Sequence, residues 1–497
     1  VGKWALLLVT ALGCSPAQSP LAGGAAGEDA AMVAMLTAHE AGDCARVQAL
    51  AAGFSTRRAI RLARVDALLG QCAFEGGAFE TAISHFDRVA LDPEHRWTRA
   101  AAYYGGRAHD QLGAYGAAVV RFDALLACCA GTWLDNARYY RARALYRLDD
   151  FEAARAGFSA LLAQPEASAF YRSRAMYRMG KSHYLQSVDA AEPQAALAEA
   201  RRWYARVLAE YGAESVADEA AYAVGKSHYR GAGFTEALAA FERVLATYPT
   251  GSATHRADYY RGRTLLALDR PLEAADHLAG FGSRWPESSL VDNAWYYQGR
   301  ALYAAGLGGD AAQFTAARAV FEALAVAQPD SRYGWGARYY GARAAYHLGQ
   351  RQRALPELVA VAESPSSYAD NARHYAGMCE YHLGVSEGAA ARFEAALAHF
   401  DQLEAAYSSS SYRDDAAYFA GRALTRLGRL AEADGRFGWI IEHAAGSYLD
   451  NAHRRRVEVR VQRGDCAAAQ ASFEAMQRAV PESAELAPAA RALEAGC

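Results

Sequence analysis

Small and bulky apolar residues recur at four-residue spacing through most of the chain, in stretches separated by short runs of Gly, Asp, Pro and Ser. This is the pattern of one buried face on successive α-helices. The lines DNARYYRARALYRLDDFEAARAGFSALLAQP (135–165) and HRADYYRGRTLLALDRPLEAADHLAGFGSRWP (255–286) show one unit of two predicted helices. In the second helix an alanine is followed four residues later by a bulky side chain. The alanines are Ala82, Ala118, Ala154, Ala200, Ala237, Ala274, Ala317, Ala354, Ala396, Ala433 and Ala469. Their partners are Phe86, Phe122, Phe158, Tyr204, Phe241, Leu278, Phe321, Leu358, Phe400, Phe437 and Phe473. Residues four apart share a helix face, so the alanine admits a neighbouring helix and the ring fills the gap beside it.

The first helix of each unit carries a tyrosine at Tyr103, Tyr139, Tyr177, Tyr222, Tyr259, Tyr296, Tyr339 and Tyr418, with His374 and Arg454 in the equivalent place. It also carries a small residue three positions later, as at Gly106, Ala142, Gly180, Gly225, Gly262, Gly299, Ala342, Gly377 and Gly421. Asp135, Asp218, Asp292, Asp370, Asp414 and Asp450 stand where N-caps are expected, and Pro165, Pro249, Pro286 and Pro329 where second helices stop. Intervals between the ten first-helix positions are 36, 38, 45, 37, 37, 43, 35, 44 and 36 residues. The three longest place extra residues between the two helices, at 185–196, 304–312 and 384–391, as extended helix ends or projecting loops.

On these residues the chain resembles the tetratricopeptide repeat family, whose two-helix unit is about 34 residues long. The resemblance spans 28–483. It implies an all-α, right-handed superhelical solenoid of about twelve hairpins, counting weaker units near Met32–Phe54 and Arg64–Leu91, followed by a capping helix in 484–497. One hairpin cannot bury its apolar face alone, so neighbours must stack. The Y-Y-x-G-R-A-L run and the P-x-S linkers also resemble the repeat subtype of envelope proteins. These include Tol-Pal-associated and outer-membrane assembly lipoproteins and the helical domain of soluble lytic transglycosylases.

Four residues after most first-helix tyrosines stands a base: Arg107, Arg143, Lys181, Lys226, Arg263, Arg300, Arg343 and Arg422. The family resemblance implies that both positions line the concave groove. There, phenols and guanidinium groups would hold an extended acidic peptide, with arginine binding carboxylates bidentately. The alternative is packing, with each base paired to an acidic residue such as Asp135 or Asp292 of an adjacent hairpin. Met378 and Glu458 replace the base beside His374 and Arg454, and these four positions are where specificity is expected.

The charge of −3, from 52 basic and 55 acidic residues, gives no net field to attract nucleic acid. No zincin pair, P-loop, nucleophile elbow or dinucleotide fingerprint occurs, so no enzyme, metal or cofactor is expected. The pairs Glu287-Ser288, Glu363-Ser364 and Glu482-Ser483 lie in turns between hairpins.

Lys3, the apolar run Trp4–Leu12 and Leu12-Gly13-Cys14 resemble a bacterial lipoprotein signal in 1–13, with Cys14 acylated. The apolar run is too short for a bilayer, which takes about 20 helical residues. Residues 14–27 then read as a flexible tether, and Ser15 favours outer-membrane retention facing the periplasm. In an oxidising compartment some cysteines should pair. Cys44 is expected to bridge to Cys72 and Cys466 to Cys497, which leaves Cys128, Cys129 and Cys379 unassigned. The leading expectation is a lipid-anchored envelope scaffold that binds a protein partner. The alternative is an accessory domain of peptidoglycan remodelling, binding murein or a separate lytic transglycosylase.

Overall fold

The computed structural model describes residues 26–54, 59–89, 96–128, 133–328, 330–443 and 448–497. The expected signal, Cys14, Cys129, Pro329 and most of the tether lie outside them. The first described helix begins at Ala26, within the segment read as tether.

Every described element is a helix, and the helices alternate as antiparallel pairs. The hairpins are α1 (Ala26–Glu40) with α2 (Cys44–Ala52), α3 (Ala59–Glu75) with α4 (Phe79–Asp87), α5 (Arg96–Gln111) with α6 (Tyr115–Cys128), and α7 (Leu134–Arg147) with α8 (Phe151–Leu162). Next come α9 (Ala169–Gln186) with α10 (Pro193–Tyr211), and α11 (Ala217–Arg230) with α12 (Phe234–Thr247). In α13 (Thr254–Ala267) with α14 (Pro271–Ala279), the second helix is interrupted and continues as α15 (Phe281–Arg284). The rest are α16 (Val291–Leu307) with α17 (Ala311–Ala327), α18 (Gly334–His347) with α19 (Arg351–Ala362), and α20 (Ala369–Glu387) with α21 (Ala390–Ala406). They are followed by α22 (Arg413–Arg426) with α23 (Leu430–His443), α24 (Leu449–Gln462) with α25 (Cys466–Ala479), and the cap α26 (Leu486–Gly496). The chain is thus an all-α, TPR-like hairpin solenoid. It divides into two compact units, one ending at Thr254 and one running from His255 to Cys497.

The alanine and ring register forms the core. All eleven alanines are buried, and so is every bulky partner except Phe473, which is half-buried. The ring of the second helix lies on the small residue of the first. A Cβ on Gly106, Gly225, Gly299, Gly377 or Gly421 would stand 2.5–2.8 Å from a ring carbon of Phe122, Phe241, Phe321, Phe400 or Phe437. Where the first helix has Ala142 instead, the second helix supplies the space, since a Cβ on Gly157 would meet the Ala142 methyl at 2.9 Å. The same contact occurs one hairpin earlier than the sequence reading placed it, between Gly70 and Phe86.

The turn inside each hairpin is nearly constant. Ten residues after the first-helix aromatic the chain adopts a left-handed conformation, at Gly113, Gly349 and Gly428, but also at Asp149 (φ 59°), Ala232 (φ 60°) and Asp269 (φ 56°). The three longer repeats resolve as extended helices. In α9/α10, α16/α17 and α20/α21 both helices of the pair have 17 residues or more.

The helix starts correct one expectation. Asp135, Asp218, Asp292, Asp370, Asp414 and Asp450 are not N-caps but lie in the first turn, where a negative charge favours the helix dipole. The preceding cap residue, such as Trp133, Tyr368 or Tyr412, makes no side-chain cap bond. True side-chain caps occur instead at second helices, where Asp43, Asp150, Asp310 and Asp465 accept from Arg46, Ala153, Ala312 and Ala468 N–H groups.

Disulfides join Cys44 to Cys72 in the first unit and Cys466 to Cys497 in the second, with Cα separations of 5.4 and 5.5 Å. The second ties the cap α26 to the last hairpin. Cys379 is a free, buried thiol, and burial pushes its pKa up to about 12.

Candidate ligand-docking face

The residue after each first-helix tyrosine is usually a second aromatic, and this doublet builds the face. The first ring points inward: Tyr103, Tyr139, Tyr259, Tyr296, Tyr339 and Tyr418 are buried, while Tyr177 and Tyr222 are half-buried. Burial raises the phenols of Tyr259, Tyr296 and Tyr339 far above the ordinary tyrosine range, so they carry no negative charge near neutrality.

A loop aromatic from the next hairpin closes over this inner ring. Tyr333 stacks on Tyr296 and Tyr448 on Tyr418, each with ring centroids 4.5 Å apart, and Tyr368 stacks on Tyr339 at 5.0 Å. Trp133 covers Tyr103 at 4.5 Å, and Tyr412 lies flat on His374 at the same distance. The same loops carry a serine that binds the preceding first-turn aspartate. Ser331 Oγ donates to Asp292 at 2.7 Å, Ser410 Oγ to Asp370 at 3.0 Å and Ser252 Oγ to Asp218 at 2.9 Å. The linkers of Ser331 with Tyr333 and Ser410 with Tyr412 are therefore clips of one hydrogen bond and one ring stack. The sequence reading missed this clip, although Ser331-Arg332-Tyr333 and Ser410-Ser411-Tyr412 share its Ser-x-Tyr signal.

The eight bases are all half-buried. Most of the arginines lie over the second aromatic of the next hairpin. The guanidinium of Arg107 is 4.0 Å from the Tyr140 centroid, Arg263 is 4.3 Å from Tyr297, Arg300 is 4.4 Å from Tyr340, and Arg343 is 4.5 Å from Tyr375. Arg422 instead packs on Tyr381 and Phe419. Arg343 Nη2 donates to Tyr375 Oη at 2.8 Å, and Arg107 Nη1 to Tyr103 Oη at 3.1 Å. The platform ring is thus the second of the doublet, not the tyrosine that the sequence pattern singled out.

For Arg107, Arg300, Arg343 and Arg422 the alternative pairing with first-turn aspartates does not form. Asp135 accepts from Arg138 of its own helix, and Asp292 from Ser331. Among the described residues Arg107, Arg300, Arg343 and Arg422 have no carboxylate partner, and Arg143 is the exception, 3.3 Å from the buried Asp110. Bases bridging consecutive second helices behave differently. Arg121 pairs with Asp87, Arg353 with Glu322, and Arg436 with Asp401 and Glu404. Those bridges neutralise themselves, whereas the first-helix face presents guanidinium groups held on uncharged rings.

The ladder is broken at His374 and Met378, both buried. His374 Nε2 stands 3.8 Å from Asp415 Oδ2, but this is no ion pair near neutrality. Burial, with Arg343 nearby, lowers the imidazole to about 3, and burial together with Asp414 raises Asp415 to about 6. At the second break Arg454 pairs with Glu458 and Glu485. Among the described residues no group of acidic, His and Cys side chains could hold a metal ion, and no helix is long and apolar enough to cross a membrane.

No protein-family model and no curated protein matches the chain. Solved structures to which it is similar include the C-terminal part of a TPR repeat-containing protein from Cytophaga hutchinsonii. That match has 13% identity and a TM-score of 0.43, and covers 54% of this chain and 97% of that one. A tetratricopeptide repeat protein from Parabacteroides merdae matches at 14% identity with a TM-score of 0.37, covering 57% and 98%. Cut9–Hcn1 of the APC/C matches at 12% identity with a TM-score of 0.37, covering 94% and 96%.

Proposed function

We propose that this chain is a non-catalytic scaffold of a bacterial cell envelope, held at a membrane by a lipid on Cys14, that docks an acidic protein segment on its first-helix faces. The observation that carries this reading is the contrast between two sets of arginines. Those bridging second helices are matched by carboxylates, whereas Arg300, Arg343 and Arg422 lie on neutral rings with N–H groups to spare. Stacking orients a guanidinium without using up its charge, and such a group gains most from an incoming carboxylate. The two disulfides support an oxidising compartment, and the lipobox-like run ending at Cys14 supports the anchor.

The test compares the full chain with an Arg300→Gln/Arg343→Gln double variant by chemical cross-linking in native membranes. The wild type should retain a discrete protein that the variant loses, with helicity unchanged by circular dichroism. Equal recovery by both, or sedimentation of the wild type with purified murein instead, would count against protein docking on this face. Uptake of a fatty-acid analogue by the wild type and not by Cys14→Ser tests the anchor separately.

A further inference from the structure

In the second unit two consecutive hairpins carry guanidiniums without a carboxylate partner, Arg300 and Arg343, and we infer that this face reads the spacing of carboxylates along an extended segment, acidic at every third residue, with a neutral residue opposite Met378. The inference rests on the proposed docking of an acidic protein segment.

The spacing follows from the packing. Arg300 on α16 reaches the Tyr340 ring on α18 at 4.4 Å, and Arg343 on α18 reaches the Tyr375 ring on α20 at 4.5 Å. The same geometry is therefore carried forward by one hairpin, although 43 residues of chain separate the two bases. The guanidiniums of Arg300 and Arg343 lie 4.4 and 5.9 Å from the same Tyr340 ring centroid, so they are at most about 10 Å apart. An extended or polyproline segment advances about 3.1–3.4 Å per residue, so one hairpin corresponds to roughly three residues. Arg300 then meets a carboxylate at position i and Arg343 one at i+3.

The next position differs. Met378 takes the place of the base and is 8% exposed, beside His374 under the Tyr412 ring. A carboxylate at i+6 would meet no cation there and would lose water without compensation. The partner is therefore read as acidic at i and i+3 and neutral at i+6.

The probes are three capped synthetic peptides with Ser and Pro spacers, measured by fluorescence anisotropy against the full chain at low salt. One carries Asp at i and i+3, one adds Asp at i+6, and one has two adjacent Asp residues. The wild type should bind the first about tenfold tighter than the adjacent-Asp peptide and should gain less than about twofold from the third Asp. Met378→Arg should gain about tenfold from that third Asp, since the two preceding hairpins carry a base at this position. Arg343→Gln, which keeps the stem on the Tyr375 ring, should abolish the preference for i+3 spacing. It keeps the test open if Met378→Arg does not fold. Binding that depends only on peptide charge would overturn the spacing rule while leaving acidic docking in place. Failure of all three peptides to bind would overturn the docking reading itself.

Discussion

Gly299 lies directly against the ring of Phe321: a Cβ at position 299 would stand 2.6 Å from Phe321 Cε1 and 2.7 Å from Cζ. The first helix of that hairpin can approach its second only because position 299 has no side chain. Gly299→Ala should cost about 1–3 kcal/mol of local stability through overpacking, seen as faster amide exchange in α16 and α17. Because Ala342 and Leu358 occupy the equivalent positions of another hairpin and share one buried cluster, adding Phe321→Leu should recover part of the loss. Additive effects would show that the two residues do not share the space.

Ala232 offers the opposite case. It holds φ at 60° in a turn where other hairpins use glycine, and an L side chain there costs on the order of 1 kcal/mol. Ala232→Gly should therefore stabilise α11/α12 by about 0.5–1 kcal/mol despite the added freedom of the unfolded chain. A lower melting temperature for the variant would contradict this.

The disulfides should matter at the ends of the array. The Cys466–Cys497 link closes 31 residues and holds α26 on the last hairpin, and Cys44–Cys72 closes 28. Loss of either should cost about 2–4 kcal/mol locally. In Cys466→Ser/Cys497→Ser, limited proteolysis should release α26 first while Gly334–His347 stays protected.

The pH dependence has opposite signs at His374 and Asp415. His374 is held near 3 when folded against 6.5 ordinarily, so the unfolded chain binds more protons between those values. Its contribution is full above about 6.5 and lost as the pH falls. Asp415, raised to about 6 from 3.8, contributes fully below about 3.8 and loses this as the pH rises through 6. His374→Phe should remove the acid-side loss, so that variant and wild type diverge by about 1.4 kcal/mol per unit from pH 6 to pH 4 in denaturant melts. Parallel curves would show that the imidazole is not buried neutral.

Much of the fold was legible because its core repeats one contact. Ala237 and Phe241, four apart on one helix, fix which face meets Gly225, and a single misplaced register would have broken the pattern. The cysteine pairs were visible because Cys44 and Cys466 each follow Gly-Asp at the start of a helix, with Cys72 in, and Cys497 at the end of, helices that pack nearby. The aspartates of the first turn were misread as caps because only two residues separate the two roles, and the cap residue makes no side-chain bond. On the first-helix face, the ladder of bases was visible in the sequence but the ring under each arginine was not. Periodicity marks Tyr296 and Tyr297 equally, and only packing shows that Tyr333 covers the first while Arg263 lies on the second.

The most direct measurement places a photo-crosslinking amino acid at half-buried Ala304 or exposed Val326 of one hairpin in intact cells. Ala304 lies one helical turn beyond Arg300 on the first helix, and Val326 is 83% exposed on the second. Docking on the first-helix face should give a discrete adduct from position 304, weakened by Arg343→Gln, and none from position 326. An adduct from 326 alone, or one from 304 that ignores Arg343→Gln, would contradict the account.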